Sequence, residues 1–348
     1  MKEKIKVIFT EWLKEKDNDD FSGVLSASDV EGVIYQECYG YRNRAELLPN
    51  NANTAFALAS GTKLFTGLAI CKLIDEKKLS LDNRLGDVLQ CDLGKINPDI
   101  TIFQLLTHTS GVGDYIDEEH DDVDQVLKDL YAKYPSYLWE NMDYYLQMSH
   151  QLEPKFERGE RFGYSNTGYI LLGLVIETVS GMSYQKFVEE VIIKPCALER
   201  TGFYRQDELP PNTALGYMYD EETKIWRTNI FSIPVMGGSD GGIFSCASDW
   251  DKLWRAIFAH KILSQEMTIA FLKDHVVVEE DDDCETYGLG VYRYEDDEKA
   301  VYFAIGGDAG VGFLSCYFPK SKTVVSAFRN FADFNNYDLI GALLEVLG

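Results

Sequence analysis

The segment TAFALASGTKLFTGLAICKLIDEKKLS, which begins at Thr54, sets a hydroxyl at Ser60 and an amine at Lys63 inside an otherwise apolar, helix-patterned run. Residues three apart on a helix are neighbours on one face, so the amine lies beside the hydroxyl. Such a pair is a nucleophile with an adjacent base, provided that the lysine is desolvated enough to lose its proton near neutral pH. The surrounding Phe56, Ala57, Leu58, Leu64, Phe65 and Leu68 favour that desolvation. Ala59, Ser60 and Gly61 read as a helix start, where free N–H groups and the positive end of the dipole suit an oxyanion. A second reading makes Ser60 an N-cap and lets Lys63 reach out to solvent. The chain supplies its own control in Ser183 and Lys186, which have the same spacing. There Ser183 opens an amphipathic helix and reads as an N-cap, with Lys186 in water. Spacing alone therefore leaves both readings of Ser60 open.

A second cluster lies in RGERFGYSNTGYILLGLVIE, where Tyr164, Ser165 and Asn166 precede a long apolar helix opening near Thr167. A phenol at that entrance can relay a proton to or from Ser60, and an amide can bond both the lysine and a substrate carbonyl. The ordinary alternative is an asparagine cap and a packed tyrosine, in a chain with 21 tyrosines. The five histidines, His108, His120, His150, His260 and His275, have no ligand spacing of the HExxH kind, so no metal site is signalled.

These residues need elements to hold them. Apolar positions Ile5, Ile8, Phe9 and Leu13 predict an N-terminal helix, and the alternation broken by SDVEG predicts a hairpin from Gly23 to Gly40. From about Leu79 to Tyr219 the chain reads as mostly helical, and from Phe231 it turns glycine-rich and then strand-like, ending in the helix YDLIGALLEVL. Strands at both ends with helices between predict an α/β (α+β) fold: an antiparallel sheet built from both chain ends, flanked by helices, with an inserted helical domain. The expected boundaries are 1–78 plus 231–348 for the sheet domain and 79–230 for the insertion.

Composition narrows the function. With 348 residues and 45% apolar content the chain can bury a large core. Its 57 acidic against 33 basic residues give a net charge of -24, which repels phosphate backbones and anionic headgroups, so nucleic acid is excluded as a partner. The N-terminal stretch is interrupted by charges, so neither a signal peptide nor a membrane span is expected. Seven scattered cysteines without a CxxC pair read as buried thiols in a reducing cytosol, and the expected location is cytoplasmic. The acidic runs DEEHDDVD and EEDDDCE read as solvated loops.

Taken together, Ser60-x-x-Lys63 and Tyr164-x-Asn166 resemble the serine β-lactamase-like superfamily, the branch of class C β-lactamases, D-alanyl-D-alanine peptidases and related esterases. Further landmarks run nearly the length of the chain: FSGVL, CYGYRNR, LLTHTSG, IIKPCALERTGF, GGSDGGIFS, YGLGV and the strand near FAIGGDAGVGF. The resemblance implies that Ser60 is acylated, that Lys63 is its base, that Tyr164 shuttles the proton and that Asn166 orients the substrate and helps position Lys63. It assigns His108 in THTSG to packing or turn support, with no part in a Ser-His-Asp triad.

The third motif departs from that pattern. The resemblance places the family's Lys, His or Trp, then a variable residue, then Gly, on Ala304, Ile305 and Gly306, with Gly307 supplying the second oxyanion N–H beside that of Ser60; a shift of a few residues puts Gly307 or Asp308 first, and neither restores a positive charge. The missing cation would pair with a substrate carboxylate, an interaction worth roughly two decades of affinity. Anionic substrates should therefore bind poorly, while a backbone oxyanion hole survives. The expected activity is acyl transfer from a small-molecule or peptide-like ester, amide or lactam, esterase- or amidase-like with weak or no β-lactamase activity and without metal or cofactor. The alternatives are a β-lactamase or D-alanyl peptidase proper and, from another class, a catalytically retired binding module.

Overall fold

Several strands near the C-terminus are apolar at nearly every position, the pattern of a sheet covered on both faces. The computed structural model describes all residues except 16–20, 119, 121, 221, 280, 281, 297, 298 and 332–335. Its main sheet consists of β1 (Gly23–Asp29), β2 (Gly32–Tyr39), β3 (Val276–Glu279), β4 (Asp282–Tyr287), β5 (Tyr292–Asp296), β6 (Lys299–Asp308), β7 (Val311–Phe318) and β8 (Thr323–Arg329). All pairings are antiparallel, in the order β2-β1-β8-β7-β6-β5-β4-β3. The first strand thus pairs with the last, Gly23 opposite Arg329.

Every residue of β7 and β8 is buried, yet the period of two persists as a division between two cores. Leu25, Ala27, Leu314, Cys316 and Val325 face one side; Val24, Phe313, Tyr317, Val324 and Phe328 face the other. Five long helices complete the frame: α1 (Lys2–Trp12), α2 (Thr62–Asp75), α3 (Asn166–Ser180), α4 (Ala247–Phe258) and α5 (Asn336–Leu347). The first core is closed by Ile5, Phe9 and Trp12 of α1 and by Leu339, Ile340, Leu343 and Leu347 of α5. The second is closed by α2, α3, α4 and shorter helices between residues 85 and 193. Some polar atoms left inside are bonded, as where Trp254 Nε1 donates to Ser315 Oγ at 2.9 Å, whereas the neighbouring Trp250 Nε1 has no partner among the described residues.

Helices α2 and α3 are apolar on all sides and mostly buried, as befits helices between a sheet and a helical layer. Four elements differ from the sequence reading, and two of the cysteines read as buried, Cys38 and Cys91, are exposed. Helix α4 and the helix Gln265–Leu272 precede the C-terminal strands; Trp250, Leu253, Trp254 and Ile257 have helical spacing and are all buried. A hairpin of Tyr217–Asp220 with Ile225–Thr228 ends the segment read as helical. Edge strand β3, in HVVVEE, was too short and one-sided a signal to stand out. The two acidic runs fall partly outside the described residues. Among the described residues no helix is long and apolar enough to cross a membrane.

Candidate active site

Ser60 lies in a single 3-10 turn, Ala59–Gly61, that feeds directly into α2. Ala59 has φ +44°, a left-handed conformation that L-residues adopt at a penalty of order 1–3 kcal/mol and that surrounding bonds must enforce. They do: Gly61 N donates to Leu58 O at 2.9 Å, Gly242 N to Ala59 O at 3.3 Å, and Thr62 Oγ1 to Ala59 O at 2.7 Å. Ile243 N in turn donates to Thr62 Oγ1 at 3.0 Å, so the turn is pinned to the glycine-rich segment 237–242.

One helical turn on, Lys63 is 3% exposed, which removes the reading in which it reaches solvent. Its Nζ lies 3.0 Å from Ser60 Oγ, 2.7 Å from Asn166 Oδ1 and 2.8 Å from the Asp240 carbonyl oxygen. Asn166 Oδ1 and Asp240 O can only accept. Since Asn166 Nδ2 donates to Glu118 Oε1 at 2.8 Å, the amide orientation follows from its partners. A neutral amine has two N–H groups and one lone pair; with both N–H groups given to these acceptors, the lone pair is left for the Ser60 hydroxyl. Burial lowers the Lys63 pKa, against the opposing pull of Asp240, Glu118, Asp114 and Asp308.

Tyr164 completes the group, its hydroxyl donating to Ser60 Oγ at 2.7 Å. Burial, followed by the nearby Glu118 charge, raises the phenol well above its ordinary value, so it stays protonated as a donor. The serine oxygen therefore sits between a desolvated amine and a protonated phenol, an arrangement able to deprotonate a nucleophile on one side and protonate a departing group on the other.

The tyrosine and asparagine are presented by the entrance of α3. Its cap is Ser165, whose side chain accepts from Gly168 N, rather than Asn166, which is the first helical residue. Asp114 braces the same entrance, accepting from Asn166 N at 2.7 Å and Thr167 N at 2.9 Å. Beneath Tyr164 lies His108, fully buried, with ring centroids 4.6 Å apart. His108 Nδ1 accepts from Ser165 N at 3.1 Å, and its carbonyl accepts from Gly163 N at 2.8 Å. Burial and the neighbouring Lys63 hold the imidazole well below its ordinary pKa, so it supports the loop as a neutral ring.

The residues read as the third motif, Ala304 to Gly306, lie on β6. Ala304, buried on the face that carries the second core, lines a cavity of about 300 Å³ with Ser60, Lys63, Tyr164 and Tyr292. Ile305 packs against the opposite core. Gly306 is pressed on the Ser60 turn: a Cβ there would lie 2.1 Å from Leu58 O and 3.0 Å from Ser60 N. This close approach explains the glycine and brings Gly307 to the mouth of the site. Ser60, Glu118 and Gly307 border both this cavity and a larger one of about 840 Å³.

The control pair behaves differently for a visible reason. Ser183 caps the helix Tyr184–Val188, accepting from Lys186 N, while Lys186 Nζ is exposed and paired with Glu189 and Glu190. Sequence reasoning missed Asp114, Glu118, Asp240 and Asp308 around the amine. Only the glycine-rich GGSDGGIFS carried a signal, since glycine clustering marks close backbone approach.

The Beta-lactamase family model matches residues 15–346. Penicillin-binding protein 4* of Bacillus subtilis (strain 168) is 30% identical over 259 residues, which are 70% of this chain and 54% of that protein. The chain thus spans about half the length of that curated relative. A penicillin binding protein from Bacillus halodurans superposes with TM-score 0.88 at 38% identity, covering 98% of this chain and 99% of that one. A D-stereospecific amidohydrolase from Streptomyces sp. superposes with TM-score 0.81 at 23% identity, with 97% of each chain covered, a likeness of fold.

Proposed function

Because the chain belongs to the β-lactamase family, within the serine β-lactamase and transpeptidase superfamily, we propose that it is a serine hydrolase acting through an acyl-enzyme, of esterase or amidase type. The observation that carries this reading is the placement of Ser60 Oγ within hydrogen-bond reach of both Lys63 Nζ and Tyr164 Oη at the junction of two cavities. Lys63 takes the Ser60 proton as Oγ attacks the carbonyl of a small-molecule or peptide-like ester, amide or lactam. The oxyanion rests on the N–H groups of Ser60 and Gly307. As the tetrahedral intermediate collapses, the leaving group takes a proton from Tyr164, whose phenol is restored from the Lys63 ammonium. Water then adds to the acyl-enzyme, giving its proton to the same relay, and Ser60 leaves with that proton as the acid is released. Asn166 holds the amine and the substrate in register. No step calls for a metal or cofactor.

The substrate lacks a carboxylate beside the scissile bond, because Ala304 stands where the family's cation would meet it and the site is rich in acidic groups. The cleft lies where the sheet domain, 1–78 with 231–348, meets the helical domain, 79–230. The test is p-nitrophenol release from a short-chain ester beside cleavage of a chromogenic cephalosporin, with wild type, Ser60→Ala and Ser183→Ala. Ester turnover is expected in wild type and Ser183→Ala and absent from Ser60→Ala, with little cephalosporin cleaved. Equal effects of the two serine substitutions would overturn the assignment.

A further inference from the structure

The two cavities that meet at Ser60 differ in chemistry, and the difference assigns their occupants. Tyr164, the donor to the leaving group in the proposed reaction, lines only the smaller cavity, so the leaving group departs there. The acyl part then occupies the larger one, into which Asp308 faces directly after the oxyanion glycine on β6. Of the carboxylates lining this cavity, Asp240 accepts from the Tyr115 hydroxyl and Glu118 is engaged by Asn166. Asp308 uses one oxygen to accept from the adjacent Ala309 N at 2.7 Å, and among the described residues no Lys or Arg forms an ion pair with it or lines the cavity. The remaining walls include the rings of Tyr115, Tyr131, Tyr145 and Tyr219.

Aromatic faces together with a carboxylate that no protein cation neutralises form a site for a substrate ammonium. We propose, resting on the hydrolase reading above, that the acyl component carries an ammonium group bound by Asp308, so that the preferred substrates are amides or esters of amino acids with a free amine. Burial pushes the Asp308 carboxyl up to about 7, with Glu118 and Asp240 adding to the rise and Lys63 opposing it. An ammonium placed beside the carboxyl restores its charge and gains the attraction that the protein itself leaves unused.

The experiment reads binding without turnover. Ser60→Ala protein is titrated calorimetrically with alaninamide, as each enantiomer, and with propionamide, the same skeleton without the amine. At least one alaninamide is expected to bind about tenfold or more tighter than propionamide, and Asp308→Asn in the Ser60→Ala background is expected to remove that preference. Equal affinities, or no detectable alaninamide binding, overturn the proposal, as does a folded Asp308→Asn protein that keeps the preference. If Asp308→Asn fails to fold, Asp308→Ser is used in its place, and the comparison of the two ligands on Ser60→Ala still decides whether an ammonium is recognised. The hydrolase reading stands or falls separately, on the Ser60-dependent hydrolysis of a neutral ester.

Discussion

Replacing Gly306 by alanine tests the contact between strand β6 and the Ser60 turn on which the proposed oxyanion site depends. The added Cβ would lie 2.1 Å from Leu58 O, 2.9 Å from Gly61 N and 3.0 Å from Ser60 N, against an ordinary contact of 3.4 Å or more. These are backbone atoms of the turn, so no side chain can swing aside. The strand and turn must separate by about 1.3 Å at the carbonyl, and displacements of about 1 Å at a reacting centre lower rates by about a hundredfold. Overpacking of this kind costs about 1–3 kcal/mol, so the protein stays folded with a melting temperature several degrees lower. Short-chain ester hydrolysis should therefore show kcat reduced about a hundredfold in Gly306→Ala, with the far-ultraviolet circular dichroism preserved. Gly341→Ala is the control: it lies on α5 with nothing within 4 Å of an added Cβ, and should leave kcat unchanged. A folded Gly306→Ala enzyme with wild-type kcat would refute the reasoning, because the oxyanion site would then tolerate displacement of the wall that forms it.

The depressed Lys63 pKa gives a pH dependence whose sign follows from its role. The base must be the free amine, so kcat/KM should rise with pH through the Lys63 pKa and level off below the ordinary lysine value of 10.5; a profile still rising at 10.5 would contradict a desolvated base. Ala304→Lys should speed acylation by carboxylate-bearing β-lactams by about ten- to a hundredfold, read as labelling by a fluorescent penicillin. No change would mean that residue 304 does not face the substrate carboxylate.

How much of the site was legible depended on sequence distance. Ser60 and Lys63 belong to one helical turn, and Tyr164 and Asn166 to one loop, so their spacing carried the geometry. The context of each pair also separated Ser60 from Ser183, since only one lies in an apolar run without neighbouring charges. Asp240, whose carbonyl takes one of the amine's hydrogen bonds, is 177 residues from Lys63 and contributes a backbone atom, which no residue type announces. Asp308 follows a glycine pair in an ordinary hairpin, and only the two cavities give it meaning. In the fold, the sheet built from both chain ends was readable from strand patterns. Helix α4 was hidden because the glycines before it and the strands after it dominated the reading of that segment, although Trp250, Leu253, Trp254 and Ile257 have plain helical spacing.

The pairing of β1 with β8 also bears on how the chain is made. Gly23 has Arg329 as a partner, so β1 waits for about 300 residues of synthesis before the centre of its sheet exists. At synthesis rates of about 5–20 residues per second that wait is on the order of 15–60 s. During it, the apolar faces of the β1–β2 hairpin, including Val24 and Leu25, stay uncovered and available to other chains. The Ser60 turn emerges in the same interval, well before the strand that backs it, β6, and the one that ties β1 into the sheet, β8. A chain stopped short of β8 would thus already carry Ser60, Lys63, Tyr164 and Gly306 and still lack the framework that holds them together, so these groups come into register only once β8 has been made.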